Sequence, residues 1–218
     1  MVKQLVRQSG TACKEAIKLV KQQHMAKFYF YYSAMNAGKS TTLLQAEFNY
    51  RERGMNPLLL SPMVDNRYGS GKITSRIGLH ASALGIAQDV NIFQFIQEKH
   101  KQSHIDCLLI DEAQFLSENQ VKQLARCADE LNIPVLCYGL RTDFQGNLFP
   151  GSKVLLGWAD TLNEIKTICH CGRKATMNMR IDAQGVPVTE GNQIAIGGND
   201  SYIAVCRKHF VNKQVASK

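Results

Sequence analysis

Ser33-Ala34-Met35-Asn36-Ala37-Gly38-Lys39-Ser40-Thr41, directly after the run Phe28-Tyr29-Phe30-Tyr31-Tyr32, is the stretch that decides the fold of this 218-residue chain. The aromatic run is β-prone. The segment from Thr41 to Arg53 carries Leu43, Leu44, Ala46, Glu47 and Phe48 and stops at Gly54, which reads as a helix with a glycine C-cap. A strand feeding a loop that opens a helix with Gly-Lys-Ser is a phosphate-binding loop. Backbone N–H groups cradle phosphate oxygens, Lys39 adds charge, and Ser40 offers a hydroxyl to Mg²⁺. The usual pattern has glycine where this chain has Ser33. A small residue fits there if its φ stays negative, whereas Gly38, next to Lys39, is where backbone freedom matters. The alternative is a chance Ala-Gly-Lys-Ser turn, and the strand before and helix after argue against it.

The length allows one α/β domain with a small appendage. Hydrophobic content is 44%, ordinary for a globular protein, and no apolar run approaches the ~20 residues of a membrane helix. The net charge of +8 raises nucleic acid as a partner. Its distribution points away from that. Within residues 1–24, five cations (Lys3, Arg7, Lys14, Lys18, Lys21) against Glu15 give +4, half of the total, and no dense basic block follows. These residues are read as a disordered basic extension, residues 25–164 as the nucleotide-binding domain, 165–210 as a second lobe and 211–218 as a tail. Without an export signal, the seven cysteines suit a reducing cytoplasm better than a disulfide framework. Cys107, Cys127 and Cys137 lie in apolar stretches and read as buried.

Further along, Pro57–Ser61 reads as a strand, residues 65–78 as a Gly-rich polar loop and residues 92–100 as a helix. Ile105–Ile110 reads as a core strand, Ser117 with Gln120 as a capping box for a helix to about Leu131, and Ile133–Gly139 as another strand. Strands alternating with helices predict a parallel sheet covered on both faces. The strand to Ile110 ends in Asp111-Glu112-Ala113-Gln114. Asp111 is placed to hold Mg²⁺ and Glu112 to accept a proton from a nucleophile. If that nucleophile is water the chain is an ATPase; if it is a substrate alcohol, a kinase. Cys169-His170-Cys171 and Cys206-Arg207-Lys208-His209 are two close groups of soft ligands suited to tetrahedral Zn²⁺. Cys169, Cys171, Cys206 and His209 are the expected ligands, with His170 as a rival. Between them, Gln193 to Tyr202 includes Gly197-Gly198, which suits a loop wrapped over a flat ligand or, more plainly, a β-turn with Tyr202 as packing.

These motifs, together with Asp65-Asn66-Arg67-Tyr68, Gly139-Leu140-Arg141-Thr142-Asp143-Phe144 and Ile196-Gly197-Gly198, resemble the cellular, zinc-containing (type II) thymidine kinases, especially their bacterial members. The resemblance runs from about Ala26 to Phe210. It implies a RecA-like P-loop sheet with a structural zinc lobe, assembled as a homotetramer in the cytoplasm. It implies transfer of the ATP γ-phosphate to the 5′-hydroxyl of thymidine, for deoxynucleotide salvage. By that resemblance Glu112 is the general base. Ser33, Ala34, Met35, Asn36, Ala37, Gly38, Lys39, Ser40, Asp111, Glu112, Ala113 and Gln114 surround ATP and Mg²⁺. Met35, Phe115, Phe144, Gln193, Ile194, Ala195, Ile196, Gly197 and Tyr202 hold thymidine, and Asp65 and Arg67 lie near the phosphates. The rival is a P-loop ATPase or nucleic-acid motor with a zinc ribbon. The short folded length and the aromatics Phe115, Phe144 and Tyr202 favour the kinase, with no nucleic-acid or membrane partner.

Overall fold

The computed structural model describes residues 25–63, 71–193 and 202–215. The first half of the chain runs β1 (Phe28–Ser33), α1 (Lys39–Glu52), β2 (Pro57–Pro62), β3 (Lys72–Thr74), β4 (His80–Ser82), β5 (Leu84–Ile86), α2 (Ile92–Gln102) and β6 (Cys107–Ile110). It continues through a 3-10 turn (Ala113–Phe115), α3 (Glu118–Leu131), β7 (Val135–Leu140), α4 (Pro150–Trp158) and β8 (Thr161–Glu164). The central sheet has six strands in the order β5-β2-β6-β7-β1-β8, and every neighbouring pair is parallel.

Alternation along the strands builds two cores. Phe28, Phe30, Leu108, Ile110, Val135 and Cys137 face α2, α3 and α4. Tyr29, Tyr31, Cys107, Leu109, Leu136 and Tyr138 face α1 and the β3–β4 hairpin. Local signals agree with this arrangement. Ser117 and Gln120 form the reciprocal capping box of α3. Gly54, at φ 73°, follows the Arg53 cap of α1. The stretch expected as loop through residue 78 is instead a hairpin from Lys72, because β3 and β4 pair with each other. β5 and β8 were not anticipated; each is a short edge strand, recruited by pairing with β2 and β1.

From β9 (Thr167–Ile168) and β10 (Lys174–Ala175), the chain enters a separate small lobe with β11 (Met177–Ile181), β12 (Pro187–Val188), β13 (Tyr202–Val205) and α5 (Arg207–Val211). β11 is central, with antiparallel neighbours on both sides. Among the described residues, five buried apolar side chains, two of them the cysteines Cys169 and Cys206, make up this lobe's core. A core that small calls for a covalent or metal staple.

Candidate active site

In a parallel sheet the loops that follow the strands meet at one edge. Here β7 lies between β6 and β1, so the loop after β1 and the acids after β6 face each other across the end of β7. Gly38 caps α1 at φ 86°, and Asn36 is also left-handed at φ 61°. The two residues reverse the chain so that N–H groups line its concave side. No acidic residue occupies the first turn of α1, so nothing there opposes an anion at the helix N-terminus. Ser33 keeps an ordinary backbone and its hydroxyl donates to the Ala34 carbonyl at 2.7 Å, so a small polar residue serves where glycine is usual.

Lys39 is buried and its Nζ donates to the Ala34 carbonyl at 3.3 Å. Burial lowers its pKa, while the neighbouring Glu112 and Asp111 carboxylates oppose that shift. Ser40 Oγ donates to Asp111 Oδ2 at 2.9 Å. Two neighbouring ligands of an octahedral Mg²⁺ at about 2.1 Å lie about 3.0 Å apart, so this oxygen pair fits that ion. Burial, followed by the charge of Glu112, pushes the Asp111 carboxyl up to about 7; Ser40, the Glu112 N–H and Lys39 pull the other way. Met35, Asn36, Gly38, Lys39, Ser40, Asp111 and Glu112 border one cleft of about 410 Å³.

Glu112 holds φ 49°, ψ 36°, a left-handed conformation rare for a residue with a side chain and typical of strained functional positions. Its N–H donates to Asp111 Oδ1 at 3.0 Å. Ala113 and Gln114, expected at the nucleotide, are both fully buried. The left-handed Glu112 leads directly into the 3-10 turn that contains them.

The expected thymine-pocket residues are distributed around the same edge. Met35 borders the cleft, Phe115 packs edge-on against Phe149 at 5.6 Å, and Phe144 packs edge-on against Tyr202 at 6.5 Å. Gln193 Nε2 donates to Asp143 Oδ2 at 2.9 Å. The two ends of the segment between Gln193 and Tyr202 therefore attach to the adjacent residues Asp143 and Phe144. Ile194, Ala195, Ile196, Gly197, Asp65 and Arg67 lie outside the described residues.

Other site residues had escaped the sequence reading. Lys72 and Arg76 reach the cleft from the β3–β4 hairpin. Their only signal was two cations in a Gly-rich stretch. Asn178, on β11, is buried; its Oδ1 accepts from the Met35 N–H at 2.7 Å and its Nδ2 donates to the Thr142 carbonyl at 2.8 Å. It joins the second lobe to the phosphate loop, and no local pattern marks an asparagine for that task.

In the second lobe, Gly172 at φ 80° closes a tight turn that brings Cys169 and Cys171 together. Cys206 caps α5 and His209 lies three residues on, so the two share a face. The donor atoms of Cys169, Cys171, Cys206 and His209 all lie within 4.8 Å of one another. Cys171 Sγ and Cys206 Sγ are 3.9 Å apart, and Cys169 Sγ and His209 Nδ1 are 3.2 Å apart. Zn–S bonds of about 2.3 Å give tetrahedral edges of about 3.8 Å, so three thiolates and an imidazole here are compatible with zinc. His170 stays outside the group of four; its ring stacks on that of His209 at 4.3 Å.

The model of the family described as "Thymidine kinase" matches residues 26–210. The thymidine kinase of Aliivibrio fischeri is 61% identical over 186 residues, covering 85% of this chain and 97% of that protein. That of Shewanella oneidensis is 60% identical over the same shares, and that of Zymomonas mobilis is 60% identical over 87% of this chain and 98% of its own. A phosphate loop, an Asp-Glu pair and a four-ligand cluster stand in one chain with relatives matched almost end to end, and the chain belongs to the thymidine kinase family.

Proposed function

We propose that Glu112 is the general base of thymidine phosphorylation and that the cleft between the phosphate loop and the β3–β4 hairpin holds the triphosphate of ATP. The carrying observation is Glu112 itself, held in a left-handed conformation beside Asp111, Ser40 and Lys39 on the border of one cleft. The 5′-oxygen of thymidine attacks the γ-phosphorus, the bond from that phosphorus to the β–γ bridging oxygen breaks, and ADP leaves. The hydroxyl proton passes to a Glu112 carboxylate oxygen. Lys39 and the loop N–H groups hold the phosphates in line, and Lys72 and Arg76 face them from the opposite wall. Ser40 and Asp111 would hold Mg²⁺, which would supply positive charge to offset that of the phosphates.

Thymidine would bind beside Met35 and Phe115, and the contacts of Gln193 with Asp143 and of Tyr202 with Phe144 support a part for these residues in holding it. Zinc in the Cys169–His209 cluster has a structural task, since its four protein donors leave no open position for chemistry. Family membership supports a homotetramer working in the cytoplasm and feeding dTMP into deoxynucleotide salvage; sedimentation of the purified protein tests the assembly.

Glu112→Gln tests the reading directly. Turnover should fall by about 10²- to 10⁴-fold, the usual contribution of a general base. Binding of ATP and thymidine, by calorimetry, should survive. Retained turnover, or ATP hydrolysis at a comparable rate without thymidine, would overturn it.

A further inference from the structure

Gln114 is fully buried, yet it is polar and sits two residues from the proposed base. Its amide is committed at both ends. Oε1 accepts the Leu140 N–H at 2.9 Å, at the end of β7. That N–H can only donate, so the atom facing it must be the amide oxygen, and the amide NH₂ must face the other way. It faces Glu112, and Nε2 donates to Glu112 Oε2. The backbone around Gln114 is built to this fit. A Cβ on Gly139 would lie 2.8 Å from Gln114 Oε1, and a Cβ on Gly151 would lie 2.9 Å from the Gln114 carbonyl. Neither glycine has a positive φ, so close approach alone demands the missing side chains.

We propose that Gln114 is a positioning residue for Glu112. It engages one carboxylate oxygen and leaves the other to accept the proton of the 5′-hydroxyl. A carboxylate held by one fixed N–H donor has one rotamer and one free oxygen, where an untethered glutamate in a left-handed turn would sample several. Through Gln114 the base is also linked to the end of β7 at Leu140. This inference rests on Glu112 being the base.

The competing explanation is that Gln114 only satisfies the buried Leu140 N–H. Gln114→Met, in the parent and in the Glu112→Gln background, separates the two. Single-turnover rates and KM values for both substrates are measured in all four proteins, with thermal unfolding alongside. In the parent, we expect kcat to fall on the order of 10- to 100-fold with KM for thymidine and ATP within about 2-fold, since misplacing a reacting group costs rate and not binding. In the Glu112→Gln background the same change should cost less than about 2-fold, because a residue acting through another has nothing left to act on. An equal loss in both backgrounds, or no loss in a folded parent variant, overturns the inference. If the methionine variant does not fold, Gln114→Asn gives the same comparison, as its amide is one methylene too short to reach both partners. Failure of the base reading looks different: Glu112→Gln by itself would keep its turnover.

Discussion

Asn178→Ala should loosen the phosphate loop from the second lobe, and the loss follows from two hydrogen bonds. Asn178 accepts from the Met35 N–H at 2.7 Å and donates to the Thr142 carbonyl at 2.8 Å. Its side chain is 2% exposed, so water does not reach the site freely. Truncation leaves a buried carbonyl and a half-buried N–H without partners, each costing about 1–3 kcal/mol. The N–H is the less buried of the two, which sets the expected total at about 2–4 kcal/mol. For a folded region of this size, 1 kcal/mol corresponds to roughly 2–4 °C, so the midpoint should drop by roughly 4–16 °C. The Met35 peptide belongs to the loop that cradles phosphate, so KM for ATP should also rise, about 3- to 10-fold, equivalent to roughly 0.7–1.4 kcal/mol. Asn178→Asp should not restore the midpoint. It keeps the acceptor toward Met35 but turns an oxygen toward the Thr142 oxygen. The assays are thermal unfolding with and without ATP and steady-state kinetics with varied ATP. A midpoint within about 2 °C of the parent and an unchanged KM for ATP would refute the claim that this asparagine ties the lobes together.

The metal cluster predicts about one zinc per chain by elemental analysis, loss of that zinc in Cys206→Ser and its retention in His170→Ala, since His170 lies outside the four donors; full occupancy in Cys206→Ser would contradict the assignment. Asp111 has a folded pKa of about 7 against 3.8, so its charged form weakens the folded state increasingly as pH rises from about 4 to 7. Asp111→Asn should therefore raise the midpoint of the ligand-free protein more at pH 8 than at pH 5, and the reverse order would refute the shift. Gly151→Ala puts a Cβ 2.7 Å from the Ala113 carbonyl and 2.8 Å from the Leu116 carbonyl, so backbone must yield. It should cost about 1–3 kcal/mol and lower kcat through the turn that follows Glu112; unchanged unfolding and turnover would show that the helix shifts freely.

Much of this was written locally. Gly38-Lys39-Ser40 after an aromatic strand marks a phosphate loop because backbone geometry and charge there depend on a few adjacent residues. Asp111-Glu112 after an apolar strand, the Ser117–Gln120 capping box and the closely spaced Cys and His pairs are legible for the same reason. The edge strands β5 and β8 were not legible, because a three- or four-residue strand exists only through the neighbour that pairs with it.

The sequence by itself determined the nucleotide loop, the parallel sheet and the family. The tertiary structure decided how the site is held. It turned Glu112 left-handed and buried Ala113 and Gln114 completely. It chose His209 over His170 for the cluster and brought Asn178 to Met35 across a separation of 143 residues. The physical reason is one of range. Backbone conformation and caps depend on residues within a turn of each other, whereas the partner of a buried amide is set by which strands and lobes pack together.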